Sequence, residues 1–405
     1  MVCGCGAGAS VDARIDDTGA VLPDTHTLND VLVMDHHAAA LRAAQQFLID
    51  DTPSVVYDGG MDRDLALASH FSRLRDRRAV ALIDHGVIEL VVLSPGGSQA
   101  QVLARQGEGP GELNGSGDLV LLPGDTIVVF DHATRRVSWF SADSGFIRTQ
   151  PIPGSFPTGC FGVDGQLPDG RLVGTGRCGS HRITPEGQLS ASVPLARFDI
   201  ELTSLDTIAV ITGSRIKWSE IDVGGRTERV MTWPSYGQMT TVAVAGSTIV
   251  VGSGEGGYAI NLLDGDGRMS GRIVVDIPSI VVNNAFRDRV AEVWIARRGS
   301  NVSQALRDSI RDRVRAETFA DTVAAYHRVM SAPGGTIWVI DQRLPGDTVW
   351  SATAFRRDGA ITGRLVFPIR LGDPHAFGDD DLVLMHEDED GIVRYHVHPL
   401  RTRDS

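Results

Sequence analysis

The chain has 405 residues, enough for one large or two ordinary domains, and its 42% hydrophobic and 22% charged residues are typical of globular proteins. No apolar run approaches the roughly 20 residues that a membrane-spanning helix requires, so the sequence predicts no transmembrane segment. The formal net charge of -13 argues against nucleic acid or an anionic membrane as the main partner.

Residues 1–50 predict an N-terminal tail in front of the folded domain, with a helix over residues 28–49. The glycine-rich opening contains Cys3 and Cys5, and no positively charged and apolar leader precedes them. Small residues around a cysteine, followed by a polar stretch, resemble the mature start of a bacterial lipoprotein. We therefore expect either a lipidated Cys3 or Cys5, if translation starts further upstream, or a flexible tail.

A turn followed by a strand recurs along the rest of the chain. Residues 122–125 lead into 126–131 in the same way as residues 332–335 lead into 336–341. Proline, glycine and aspartate set the turn, and the β-branched residues that follow suit a half-buried strand. The frame occurs seven times, and its strand closes at Asp84, Asp131, Gly176, Thr212, Ser253, Asp341 and His386. Most intervals between these residues are near forty residues, the length of one four-stranded blade.

Each repeat unit continues with a second hairpin, as at residues 260–267 and 354–361, where an Asp-Gly turn separates two apolar runs. The repeat predicts an all-β chain in which residues 51–400 form a single β-propeller of four-stranded antiparallel blades. Seven units are counted, so six or seven blades are expected. The last unit stops after its third strand, near Leu400, and we expect the strand at residues 53–57 to close the ring, because closure removes exposed sheet edges.

The one long interval in the repeat predicts a short helical insertion near residues 303–328. Leu306, Ile310 and Val314 are spaced four apart and therefore share one face of a helix, while arginine and aspartate fill the other face. We expect a helix or helix pair that packs on the rim of the propeller.

Four cysteines are few, and two of them invite a pairing. Cys160 and Cys178 lie about one strand pair apart, so they are either a disulfide, in an oxidising compartment, or two buried free thiols. His396 and His398 share one face of a strand and could begin a zinc site, but no third ligand is fixed by spacing, and edge histidines are the favoured interpretation.

Two acidic patterns have a ligand-binding and a structural interpretation. Asp84, Asp131 and Asp341 share one position in the repeat and could ring a calcium ion, although capping of hairpins is favoured. The run at residues 107–112, Gly-Glu-Gly-Pro-Gly-Glu, crosses between two units. Glu108 or Glu112 could contact a ligand or cation there, although capping of backbone amides is again favoured.

Residues 71–76, 104–113 and 326–329 together resemble the bacterial six-bladed β-propeller family, a group related to the NHL-repeat propellers. The resemblance covers about residues 52–400 and is most specific in the run at 107–112. It implies six blades and a periplasmic or outer cell-envelope location, although the export signal usual in that family is missing from this sequence. It implies no particular activity.

The sequence contains no Walker loop, no HExxH motif and no G-x-S-x-G elbow. A propeller presents loops around one face of a channel, a shape suited to holding a ligand, so the leading hypothesis is a non-catalytic binding module for a protein, glycan or small molecule, monomeric by default. The alternative is a metal-dependent propeller enzyme, either a calcium lactonase-like hydrolase or a zinc-dependent lyase, with calcium or zinc as its cofactor. Glu108, Glu112 and His327 are the candidate ligand-binding residues.

Overall fold

The computed structural model describes residues 14–403 apart from positions 61–62, 85, 98–99, 116, 155, 157–160, 177–179, 184–187, 224–225, 253–256 and 300–301. Cys3, Cys5, Cys160 and Cys178 lie outside the described residues, so the lipidation site and the disulfide stay predictions.

Residues 24–57 form strands that join sheets built by later parts of the chain. The elements are β1 (Asp24–Leu28), β2 (Val31–His37), the helix α1 (Ala38–Ala43), β3 (Gln46–Ile49) and β4 (Val55–Tyr57). The helix predicted over residues 28–49 is wrong except for these six residues. In β2, Val33 and Met34 are buried in parallel pairing with a strand near residue 273, and this pairing takes precedence over local helix propensity.

The remaining strands form successive antiparallel units. The first unit contains β5 (Ala68–Arg73), β6 (Ala79–Asp84), β7 (Ile88–Leu93) and β8 (Ala100–Arg105). The second contains β9 (Asp118–Leu122), β10 (Thr126–Asp131), β11 (Arg136–Ser141) and β12 (Gly145–Pro151). The third contains β13 (Phe161–Gln166), β14 (Leu172–Gly176), β15 (Ser180–Ile183), β16 (Gln188–Phe198), β17 (Leu205–Val223) and β18 (Arg226–Thr232). The fourth contains β19 (Thr241–Ala245), β20 (Thr248–Gly252), β21 (Tyr258–Leu263) and β22 (Met269–Asp276), and it is extended at its outer edge by β2 and β1.

The helices α2 (Asn284–Ala296) and α3 (Gln304–Ala316) follow β22. The fifth unit contains β23 (Tyr326–Ser331), β24 (Ile337–Asp341), β25 (Val349–Phe355) and β26 (Ile361–Pro368). The sixth contains β27 (Asp373–Phe377), β28 (Asp381–Glu387) and β29 (Val393–Thr402). The strand β3 lies between β26 and β29 and joins the fifth and sixth units into one nine-stranded sheet, which also includes β4.

The first strands of the units surround a central channel, and the chain is a β-propeller, as predicted. Around the ring, β5, β9, β13, β19, β23 and β27 contact one another in that order. The sixth unit returns to the first through the imidazole of His375, whose Nε2 lies 3.1 Å from the carbonyl oxygen of Phe71.

The N-terminal strand β4 supplies the outer strand of the sixth unit and closes the ring. Tyr57 is paired with Tyr395 and Val55 with Val397, which confirms the closing strand predicted at residues 53–57. The rings of Phe71 and Tyr395 stack with their centroids 3.9 Å apart, so the closure also has an aromatic core.

Two of the seven repeat units, those that close at Gly176 and Thr212, lie in the same sheet. Gly176 ends β14, whereas Thr212 lies within the long strand β17, which pairs with β16 along residues 205–217. The pattern around Thr212 therefore belongs to an outer strand of the third unit and not to the second strand of a further unit.

The helical insertion is present and begins earlier than predicted. In α3, Ile310 and Val314 are buried, as their spacing predicts, while Leu306 is exposed. Both helices have side-chain N-caps, with the Asn283 amide oxygen accepting from the Phe286 amide and the Ser303 hydroxyl from the Leu306 amide.

The hydrophobic core lies between neighbouring units. One cluster joins Val80, Leu82 and Leu90 of the first unit to Ile127 and Phe140 of the second, and all five side chains are fully enclosed. Burying side chains of this size contributes roughly 1.5–3 kcal/mol each, so such clusters hold the units in their angular positions around the channel.

Candidate functional site

Four of the inner strands carry one extra residue relative to their neighbouring second strands. The register shifts identify the extra residues as Ser69, Asp164, His327 and His375. A β-bulge bends its strand and redirects the side chains beside it, and bulges concentrate near functional sites. The four extra residues are all polar, and each interrupts the regular alternation of side chains along its inner strand.

A cavity of about 710 Å³ occupies the channel between β13, β19, β23 and β27. Its wall includes Asp164 on β13, Thr241 on β19, Arg328 on β23 and Phe377 on β27. A second cavity of about 520 Å³ shares Asp164 and Phe377 with it and extends to the turns after the inner strands. The channel is thus accessible from the side of these turns.

The larger cavity also contacts two apolar side chains that precede β19. Trp233 and Met239 are 54% and 38% exposed, respectively, and both border the cavity. Large apolar side chains that remain exposed beside a concave surface are typical of ligand-binding sites.

Arg328 is the cationic residue of the cavity wall, and the bulge at His327 precedes it directly. Its guanidinium donates a hydrogen bond to the carbonyl oxygen of Pro374, whereas its buried Nε has no hydrogen-bond partner in the part of the chain that the structure describes. Burial lowers the pKa of Arg328, and the charge of Asp373 opposes this effect. Among the described residues, no carboxylate forms an ion pair with Arg328.

His375 lies on the strand next to Arg328 and is a neutral imidazole at neutral pH. Burial lowers its pKa to about 4, while the hydrogen bond to Phe71 acts in the opposite direction. Its ring packs edge-on against Phe71 and Tyr395, at centroid distances of 5.6 and 4.8 Å. Arg328 is therefore the cation at this part of the channel wall.

A buried carboxylate lies between two histidines where the first and second units meet. Asp118 begins β9, and its oxygens lie 3.2 Å from Nε2 of His132 and 3.5 Å from Nε2 of His70. The hydroxyl of Ser69 lies 3.4 Å from Nδ1 of His70 and donates to the carbonyl of Leu82. This arrangement can hold or transfer a proton, and sequence reasoning did not find it because the residues belong to different units.

The predicted residues Glu108 and Glu112 lie in the loop between β8 and β9, and both are exposed. Oε2 of Glu112 accepts a hydrogen bond of 2.8 Å from the amide of Gly109. A Cβ atom at Gly107 would lie 2.1 Å from the same oxygen, so a larger residue there would displace the Glu112 carboxylate. Glu112 thus makes the amide-capping contact favoured for it, and neither glutamate contacts the channel cavity.

The third predicted residue, His327, borders a separate cavity of about 420 Å³ between α2 and the segment after β24. Its ring lies 6.1 Å from that of Trp350. Partial burial of the ring, together with the charge of Arg328, lowers the pKa of His327. The structure therefore does not bring His327 together with the two glutamates.

The three repeat aspartates have different partners, and Asp84 accepts a hydrogen bond from the amide of Gly86. Asp131 accepts hydrogen bonds from the amides of Asn114, Ala133 and Thr134, which is the capping role favoured for it. Asp341 accepts from the Ser351 hydroxyl and from the guanidinium of Arg364, at 2.5 and 2.7 Å. These aspartates do not share one ligand.

Three histidines of the sixth unit lie next to one another, and the rings of two of them, His386 and His396, are stacked. The rings of His386 and His396 are 4.6 Å apart, and those of His396 and His398 are 6.0 Å apart. Burial lowers the pKa of His396 to about 4. Within the part of the chain that the structure describes, no group of three or more His, Cys, Asp or Glu residues is arranged to hold a metal ion.

Among the described residues, every helix is too short or too polar to cross a membrane.

No protein-family model matches the sequence, and no curated protein matches it either. Solved structures match it at the level of the fold. An exported protein from Bacteroides fragilis, described as putative, is 12% identical; the match covers 92% of this chain and 100% of that chain, with a TM-score of 0.46. A gluconolactonase from Xanthomonas campestris is 13% identical, with 94% and 97% covered and a TM-score of 0.40. A virginiamycin B lyase from Staphylococcus aureus is 10% identical, with 89% and 99% covered and a TM-score of 0.37.

Proposed function

We propose that this protein is a non-catalytic binding propeller of the bacterial cell envelope, and that the central channel holds its ligand. The observation that carries the proposal is the cavity of about 710 Å³ between the inner strands. Its volume is in the range of roughly 300–1,000 Å³ that is typical of small-molecule sites, and its wall combines apolar side chains with a few polar ones.

We infer that the propeller has six blades. The ring of inner strands from β5 to β27 supports this number, because it returns to β5 through the hydrogen bond between His375 and Phe71. The location of the units that close at Gly176 and Thr212 in one sheet also supports it. The resemblance of residues 71–76 and 104–113 to the bacterial six-bladed β-propeller family implies both the six blades and the envelope location.

The ligand classes left open by the sequence were a protein, a glycan and a small molecule. The concave position of the cavity between the inner strands favours a small molecule, or the end of a longer chain inserted from one mouth. A folded partner protein would instead need an extensive surface on the rim.

The enzyme alternative has one observation in its favour, the carboxylate of Asp118 between His70 and His132. An imidazole oriented by a carboxylate is a general acid–base group. Asp118→Asn would abolish any lactone or ester hydrolysis by the purified protein, with its melting temperature measured as the control for folding. Hydrolysis that survives the substitution would exclude this group from the reaction.

The binding proposal is tested by closing the channel. Ser331 lies at the end of β23 and borders both channel cavities, so Ser331→Trp would fill the space that a ligand needs. Wild-type protein, the variant and a control, Ser144→Trp in the exposed turn between β11 and β12, would be compared by native mass spectrometry and by thermal shift against a metabolite set. We expect retained or added ligands to bind the wild type and the control but not the channel variant. Equal binding by all three would contradict the proposal.

A further inference from the structure

We infer that the ligand of the channel is an organic acid: Arg328 binds its carboxylate, and its apolar body extends towards Trp233 and Met239. The inference rests on the proposed channel-binding function and specifies the chemistry of that same site.

The first argument is the charge of Arg328. A guanidinium has five N–H donors, yet its contacts with the described protein consist of the donation to the Pro374 carbonyl, and Nε remains buried without a partner. Removing a cation from water is unfavourable unless a counter-charge or further hydrogen bonds compensate. A planar carboxylate supplies both, because its two oxygens match the guanidinium fork.

The second argument is that the acids near Arg328, among the residues that the structure describes, do not neutralise it. Asp373 is the carboxylate that acts on its pKa, but Asp373 accepts a hydrogen bond from Trp350 and lies 3.9 Å from Arg343. Asp164 borders the same cavity from β13, but it has an interaction of its own and forms no ion pair with Arg328. The positive charge therefore remains available to a ligand in the cavity.

The third argument is that a large part of the remaining wall is apolar. The side chains that surround the cavity away from Arg328 include Val193, Val242, Met330 and Phe377. Trp233 and Met239 continue this surface to the solvent. The free energy of binding becomes more favourable with each part of an apolar ligand body that is buried against this surface.

The test uses two probes that differ in the head group alone, decanoate and decan-1-ol, each titrated calorimetrically into the full chain. We expect decanoate to bind wild-type protein at least tenfold more tightly than decan-1-ol. Arg328→Met should remove that preference, Arg328→Lys should restore part of it, and Ser331→Trp should abolish binding of both probes. The control is Arg272→Met on the outer strand β22, where the arginine is exposed, and it should bind as the wild type does.

The outcomes separate this inference from the function on which it rests. Equal affinity for the two probes, or a preference for decanoate that survives Arg328→Met, would overturn the organic-acid inference and leave channel binding intact. Failure of both probes to bind would also overturn it, while channel binding would still be decided by mass spectrometry of the wild type and Ser331→Trp. Probe binding that Ser331→Trp does not weaken would contradict both.

Discussion

Acidification should destabilise the propeller through His375, at the point where the sixth unit meets the first. The imidazole is enclosed by Phe71 and Tyr395 and is bonded to the Phe71 carbonyl oxygen, so Nε2 is the protonated nitrogen of the neutral ring. A second proton would place a charge in this apolar contact, next to the positive charge of Arg328, which also lowers the pKa of His375.

The magnitude follows from the two pKa values. The pKa of the imidazole is 6.5 in the unfolded chain and about 4 in the folded one. Because the folded pKa is depressed, the contribution of His375 is fully present above pH 6.5 and is lost as the pH falls towards 4. Between pH 8 and pH 5 the difference in bound protons lowers the free energy of unfolding by about 2 kcal/mol.

The assay is urea unfolding at pH 8, 6.5 and 5, followed by tryptophan fluorescence, for wild type and His375→Gln. Glutamine retains an N–H donor for the Phe71 carbonyl but does not titrate. We expect the variant to be less stable at pH 8 and to lose about 2 kcal/mol less than the wild type between pH 8 and pH 5. His37→Gln, at an exposed position, serves as the control. If His375→Gln and wild type lose the same stability on acidification, the burial argument for His375 is refuted.

Two further predictions concern the loop and the seam between units. Gly107→Ala should displace the Glu112 carboxylate from the Gly109 amide and lower the free energy of unfolding by about 1 kcal/mol. Gly154→Ala, whose Cβ would meet no atom within 4 Å, should not lower it. Equal effects of the two substitutions in chemical denaturation would show that the hydrogen bond of Glu112 does not stabilise the loop. Arg73 and Asp381 form a two-pronged ion pair at 2.6 and 2.7 Å between the first and sixth units, so a double-mutant cycle with Arg73→Met and Asp381→Asn should give a coupling of about 1 kcal/mol. A coupling near zero would mean that solvent screens the pair completely.

The sequence pattern was sufficient to predict the propeller, its closing strand and the helix α3. Turn residues before a strand act locally, so the frame before Thr126–Asp131 or residues 336–341 could be recognised without any knowledge of tertiary contacts. The third unit was harder to interpret because β16 and β17 are long and paired with register shifts, so one strand carried a pattern that elsewhere marks a new unit. The parallel pairing of β2 with β22 was not predicted, because it depends on an edge formed more than two hundred residues later.

The candidate site depends on relations that a single sequence does not display. Arg328 and His375 acquire their roles from bulges at His327 and at His375 itself, and a bulge adds one residue without a clear compositional signal. Glu108 and Glu112 were predicted as ligand-binding residues because the glycine-rich run at 107–112 stands out in the sequence. The glycines of that run serve the tight turn of the loop and do not indicate a ligand. The predicted residue His327 lies nearer to the candidate site, because it directly precedes Arg328, which borders the channel cavity.

The N-terminal strands have a mechanical consequence for the whole molecule. Because β2 lies on the outer edge of the fourth unit and β3 is bonded to both β26 and β29, the N-terminal segment is attached in turn to the fourth, fifth and sixth units. A pull on the chain upstream of residue 24 would meet these attachments one after another. The load would reach the ring through parallel and antiparallel ladders on its outside, away from the channel. A propeller tethered from that end could therefore bear tension while the inner strands, and the ligand between them, keep their geometry.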